Sequence, residues 1–190
     1  MESAVVFSSS NPLLMLIDLQ YAIDDPRWGV RNNPQAEEQI SKLLNIWREQ
    51  RLPVLHVKHM STDPGSPYLP GTDGNDFKAF AAPLAAEWIL EKDTNSAFIR
   101  TDLDTQLRKQ GITEVVIVGV ITNNSVEATA RMAGNLGYRT VVVSDATYTF
   151  NKVDYAGNEH AAEVVHNMAL ANLNQEYASI LTADDIISLL

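Results

Sequence analysis

Apolar residues recur along this chain with two alternating periods. Leu13 to Ile17 is an unbroken apolar run, the mark of a strand buried on both faces, and it stops at Asp18. Ile40, Leu43, Leu44 and Trp47 then recur at i, i+3, i+4 and i+7, which predicts an amphipathic helix from Ala36 to Glu49. Pro53 to Met60 reads as a second strand. The density of Pro, Gly, Ser and Asp from Ser61 to Asn75 predicts a long loop, and loops of that length in compact domains often serve as lids or binding segments. A helix is expected from Phe77 to Ala86 and a short strand at Trp88 to Leu90. Another helix runs through Leu103 and Leu107, opened by a T-x-x-D signal at Thr101 and Asp104 and closed by Gly111.

The segment from Val115 to Tyr138 organises the rest. It begins as an apolar, β-branched run, passes through the polar turn Thr122, Asn123, Asn124 and Ser125, and continues as a helical pattern that ends at Gly137. Thr140 to Val143 follows as a strand that stops at Ser144 and Asp145. A helix is expected from about Asn158 to Asn174, with Val165, Met168, Ala169 and Leu173 on one face. Ala178 to Leu181 reads as the last strand, and Thr182 with Asp185 opens a terminal helix. Six strands alternating with helices predict an α/β fold, a three-layer α/β/α, Rossmann-like domain spanning residues 1–190 with a mostly parallel sheet. In the strand order 3-2-1-4-5-6 the winding reverses between the first and fourth strands, and ligands of such sheets bind at that reversal. Asp18 and the turn before Ser125 would face one crevice there.

Composition narrows the function. A formal net charge of −10 excludes the clustered basic surface that nucleic-acid binding needs. The absence of cysteine removes disulfide scaffolds and thiolate metal sites. Neither a signal peptide nor a membrane-spanning run is readable, so the expected compartment is the cytoplasm and no membrane partner is expected.

Three segments, LLMLIDLQ, ILEKDTNSAF and GVITNNSVEATARMAGNLGY, together resemble the isochorismatase-like hydrolase superfamily, also called the cysteine hydrolases. The resemblance runs from about Leu13 to Leu181. It implies a catalytic triad of Asp18, Lys92 and Ser125, with Ser standing where the family carries Cys. It also implies a cis peptide between Val120 and Ile121, with the Ile121 and Ser125 N–H groups as oxyanion-hole donors, and a homodimer or homotetramer.

A thiol is readily brought to thiolate at a helix start beside a lysine, whereas an alcohol needs a base within reach. Three explanations of the serine therefore stay open: an engineered replacement of cysteine, a native serine nucleophile, or chemistry that needs no nucleophile, as in the true isochorismatases. Cleavage of an amide-like C–N bond in a small molecule is the leading expectation, followed by vinyl-ether hydrolysis without a nucleophile and by ligand binding without catalysis.

Gln20, Trp28, Phe98, Asn123, Asn124 and Phe150 are further candidates to line the pocket. Ser125 has a plainer alternative role as a helix cap. His56 and His59 are three apart on a strand and face opposite sides, so they cannot chelate one metal together. The Asp-x-His metal grouping of some family members is absent, and neither a metal nor another cofactor is expected.

Overall fold

A computed structural model describes residues 11–190, so the reading of the amino terminus lies outside the described part. Six strands form the main sheet: β1 (Leu13–Ile17), β2 (Val54–His59), β3 (Trp88–Lys92), β4 (Glu114–Val120), β5 (Arg139–Tyr148) and, after a small hairpin of β6 (Lys152–Val153) and β7 (Glu159–His160), β8 (Ser179–Leu181). All are parallel, in the order β3-β2-β1-β4-β5-β8. This is the predicted order, the intervening hairpin having shifted only the last label.

Among the described residues five helices cover the sheet: α1 (Ala36–Glu49), α2 (Leu103–Lys109), α3 (Glu127–Asn135), α4 (Ala162–Leu173) and α5 (Ala183–Leu189). Side chains alternate across each strand, so Leu14, Leu16, Val116 and Val118 pack with Ile40, Leu43 and Trp47 of α1. On the other face, Leu13, Met15, Ile17 and Ile117 pack with Leu103, Leu107, Ala130 and Leu173. Burial on both faces is why β1 and β4 read as unbroken apolar runs. Among the described residues no helix is long and apolar enough to cross a membrane.

Four local expectations are corrected. No helix spans Phe77 to Ala86, where the chain makes a single 3₁₀ turn at Ala79–Ala81. Phe77 instead bridges to Gln20, Lys78 N–H donates to the Leu19 carbonyl, and Pro83 blocks any extension. β5 does not stop at Ser144 and Asp145. These two form an irregularity in the ladder, their groups taken by the Leu181 carbonyl and the Ala183 N–H, and pairing to β4 resumes at Thr147. α4 starts at Ala162 because Asp154 gathers the Ala156 and Asn158 N–H groups and His160 into the hairpin, and Met168 faces outward. The T-x-x-D signal makes no capping box, and Thr101 Oγ1 accepts only a long 3.5 Å bond from the Leu103 N–H. The Thr101 hydroxyl donates to the Ala97 carbonyl, and Asp104 accepts from Tyr138 and pairs with Arg108. At α5, by contrast, Thr182 and Asp185 form a complete capping box.

Two features fix the strands, one at the reversal and one on the β2 and β3 side. Gly119 of β4 sits at φ +113°, and a Cβ there would collide with the Ile17 carbonyl oxygen of β1 and lie 2.7 Å from its nitrogen. Glu87, just before β3, accepts from Arg48 of α1 at 2.7 and 2.8 Å and lies 2.8 Å from His56 Nε2 of β2.

Gly119→Ala should lower stability by about 3 kcal/mol or more, because both conformation and space forbid a side chain, as measured by urea denaturation. Burial works against ionisation of Glu87, but Arg48, the Leu84 N–H and His56 outweigh it and lower its carboxyl from 4.5 to about 2. A depressed folded-state value gives stability that is present above pH 4.5 and lost as pH falls toward 2. Glu87→Gln should therefore flatten the acid limb of a pH–stability curve in that window. An unchanged limb would show that this contact adds nothing.

Candidate active site

Three strands deliver the central groups to one edge of the sheet. Asp18 follows β1 with φ +52°, a left-handed turn that takes the chain off the sheet while its N–H still donates to the Val57 carbonyl. Lys92 is the last residue of β3, and Ser125 lies in the single π-helical turn Thr122–Val126 between β4 and α3. The peptide between Val120 and Ile121 is cis, as the resemblance implied. The turn is anchored from behind. Thr122 Oγ1 lies 3.0 Å from His166 Nδ1, and the Asn124 and Val126 N–H groups donate to the Ile121 carbonyl.

Lys92 Nζ joins the three residues. It donates to Asp18 Oδ2 at 2.8 Å and to Ser125 Oγ at 3.3 Å, with a further bond to the Thr94 carbonyl at 3.1 Å. Its side chain is 0% exposed and that of Asp18 6%, so the ion pair is held out of water. Asp18 Oδ1 is buried without a hydrogen-bond partner among the described residues. No side chain caps α3, so the Ser125 hydroxyl serves the Lys92 cluster and not the helix start.

A cavity of about 160 Å³ opens on Asp18 and Ser125, and Val120, Ile121, Asn124 and Trp28 also line it. The remaining predicted residues do not. Gln20 turns inward, accepting from the His59 N–H at 2.7 Å and donating to the His59 and Asn75 carbonyls. Phe98 stacks on Tyr138 on the other side of the domain. Asn123 is drawn away by the Thr149 hydroxyl, which donates to its Oδ1 at 2.5 Å. Phe150 stands behind Trp28, 6.1 Å between ring centroids.

Sequence reasoning missed four lining residues: His59, Ser66, Tyr68 and Asn95. His59 ends β2 as Asp18 follows β1, and that strand-end position was the available signal. Ser66 and Tyr68 come from the long loop, whose length marked it as functional without singling out a residue. Burial, reinforced by the Asp18 charge, raises the Tyr68 phenol well above its ordinary 10, so it stays a hydroxyl and donates to the Asp18 carbonyl at 3.4 Å. A larger open groove of about 650 Å³ runs past Tyr21, Pro67 and Asp73. It holds none of Asp18, Lys92 and Ser125, and two of its acids are paired with Lys78 and Arg27.

An acid, an ammonium and a hydroxyl thus meet at the carboxyl edge of an open parallel sheet, where folds of this architecture bind their ligands. Residues 12–185 match the model of the isochorismatase domain, and the chain belongs to the isochorismatase family. It is 43% identical over 175 residues to the uncharacterized isochorismatase family protein YrdC of Bacillus subtilis, covering 92% of this chain and 94% of that one. A crystal structure from Chromobacterium violaceum, assigned to the isochorismatase family of hydrolases, superposes with a TM-score of 0.96 at 48% identity, covering 100% and 98% of the two chains. Nicotinamidase 3 of Arabidopsis thaliana is 28% identical over 186 residues, covering 91% and 85%.

Lys92→Met leaves Asp18 buried and unpaired, and should cost about 3–5 kcal/mol in chemical denaturation. The double variant with Asp18→Asn should recover most of that loss. Equal stability of the single and double variants would mean that the pair is not energetically coupled.

Proposed function

We propose that this protein hydrolyses an amide-type C–N bond of a small molecule, with Ser125 as nucleophile, Asp18 as proton carrier and Lys92 as the fixed charge that holds both. The observation that carries this reading is one ammonium bonded to both Asp18 Oδ2 and Ser125 Oγ, next to a buried Asp18 Oδ1 that has no hydrogen-bond partner among the described residues. Because Ser125 accepts from Lys92, its own hydrogen is free to leave toward a base. As Oγ attacks the carbonyl carbon, that proton passes to Asp18 Oδ1 and the carbonyl electrons move onto oxygen. Ile121 and Ser125 line the cavity, and in this reading their N–H groups receive the oxyanion. Collapse breaks the C–N bond, and Asp18 returns its proton to the departing nitrogen. Water then attacks the acyl ester as Asp18 accepts its proton, and Asp18 returns that proton to Ser125 Oγ as the ester C–O bond breaks and the acid product leaves. The family membership and the likeness to a nicotinamidase support an amide substrate.

One observation favours a second reading. A carboxyl oxygen that is buried and unpartnered suits an acid acting directly on substrate, and a hydroxyl already bonded to an ammonium is a weak nucleophile. In that reading Asp18 protonates a vinyl ether and water completes the cleavage.

A panel of small amides and vinyl ethers, assayed with purified variants, separates the two. Nucleophilic catalysis predicts that Ser125→Ala loses at least about a thousandfold in kcat/KM, as removal of a nucleophile does elsewhere. It also predicts that Ser125→Cys retains or raises turnover, and that Asp18→Asn is inactive. Near-normal activity of Ser125→Ala on any substrate, with Asp18→Asn inactive, assigns the second mechanism. Activity that survives Asp18→Asn excludes both.

A further inference from the structure

Lys92 carries three N–H donors, and Asp18 Oδ2, the Thr94 carbonyl and Ser125 Oγ accept from it, while His59 Nδ1 lies 3.5 Å from the same ammonium. An ammonium has no lone pair to offer, so the ring nitrogen that faces it must present one of its own. The single proton of neutral His59 is therefore on Nε2. Burial keeps the ring neutral by lowering the imidazole below its ordinary 6.5, with Asp18 and Asp93 pulling it up and Lys92 pushing it down.

The donor is also held in place. The Tyr68 ring packs edge to face on the imidazole with centroids 5.5 Å apart. Gln20 bonds both backbone groups of His59, and Asn75 Nδ2 donates to the same carbonyl at 2.9 Å. His59 lines the cavity, and an N–H presented there selects for an acceptor, because a ligand without one leaves it unpaired.

The charges around it set the other half of the selection. The lining contains the carboxylate of Asp18 and neither lysine nor arginine. Lys92 lies behind Asp18 with its hydrogens already engaged. A substrate carboxylate would meet Asp18 with no uncommitted cation to offset the repulsion. The volume of about 160 Å³ is close to that of an engineered cavity of roughly 150 Å³ that takes benzene, and Trp28 and Tyr68 supply flat walls.

We propose that His59 Nε2–H is the specificity-determining contact of this site, binding a carbonyl-type acceptor of an uncharged amide or ureide no larger than a substituted benzene ring, and that substrates carrying a carboxylate are rejected. This rests on the amide-hydrolysis reading for the identity of the site.

Calorimetric titration of the full chain carrying Ser125→Ala, with benzamide and benzoate as probes, tests it without turnover. Benzamide should bind at least about tenfold more tightly than benzoate, the scale of one hydrogen bond without opposing charge. His59→Phe, which keeps a ring but removes the donor, should weaken benzamide about tenfold. His59→Gln, whose amide N–H reaches the Nε2 position, should restore affinity to within about threefold of the parent, a rescue that a purely structural role would not produce. Benzoate binding as tightly as benzamide, no rescue by glutamine, or no saturation by benzamide at millimolar concentration would each overturn the assignment. Benzamide bound in a His59-dependent way but left uncleaved by the unmutated chain would support it while counting against Ser125 as nucleophile.

Discussion

Two opposite charges buried at the carboxyl edge of the sheet are the constraint on which the rest of this molecule depends. Removing Lys92 and Asp18 from water is costly, and mutual attraction offsets that cost only when the remaining hydrogens find partners too. Lys92 satisfies this through the Thr94 carbonyl and Ser125 Oγ as well as Asp18. The requirement reaches outward from there. The end of β3 must lie level with the end of β1, and the turn after β4 must present an oxygen at the same height. Parallel pairing of β3, β2, β1 and β4 brings all three to one edge. The left-handed backbone at Asp18 then lifts the carboxylate clear of the strand while its N–H stays bonded to β2.

The structure around this pair divides by the kind of force that holds it. Beneath the cavity the central strands β1 and β4 are almost entirely apolar and wholly buried. Above it, short turns and loops are tied by polar contacts. Lys78 pairs with Asp24 and Glu37, Glu37 also accepts from Arg31 and Tyr148, and Arg31 lies 3.7 Å above the Tyr148 ring. These ties hold the segment that carries Trp28 against α1 and β5. Gln20 and Asn75 do the same for the strand end at His59 and for the loop that brings Tyr68.

How much of this was legible in the sequence follows the same division. Hydrophobic periodicity reports apolar burial, so β1, α1 and β4 could be placed almost to the residue. The three motifs located Asp18, Lys92 and Ser125. Periodicity is silent where polar bonds decide the path. Phe77 and Lys78 looked helical because their local composition permits a helix, and only a bridge to Gln20 and pairing with Asp24 and Glu37 keep them extended. Ser144 and Asp145 looked like the end of a strand because their partners, Leu181 and Ala183, lie far along the chain. Asn123 and Asn124 were indistinguishable as neighbours in one turn, yet a single bond from Thr149 turns the first away while the second lines the cavity. His59 was weighed only as half of a metal pair, and its contact with Lys92 depends on a lysine 33 positions away.

Gly119 gives the molecule a history as well as a shape. The seam between β1 and β4 is so narrow there that no side chain fits, and the two strands that carry the acid and the hydroxyl cannot be moved apart without rebuilding the core. The floor of the cavity is thus closed to gradual revision. Trp28, Ser66, Tyr68 and Asn95 reach the same cavity from turns and loops outside the sheet. A descendant of this chain that changed its diet would do so by exchanging those residues one at a time, leaving the reacting groups where they stand.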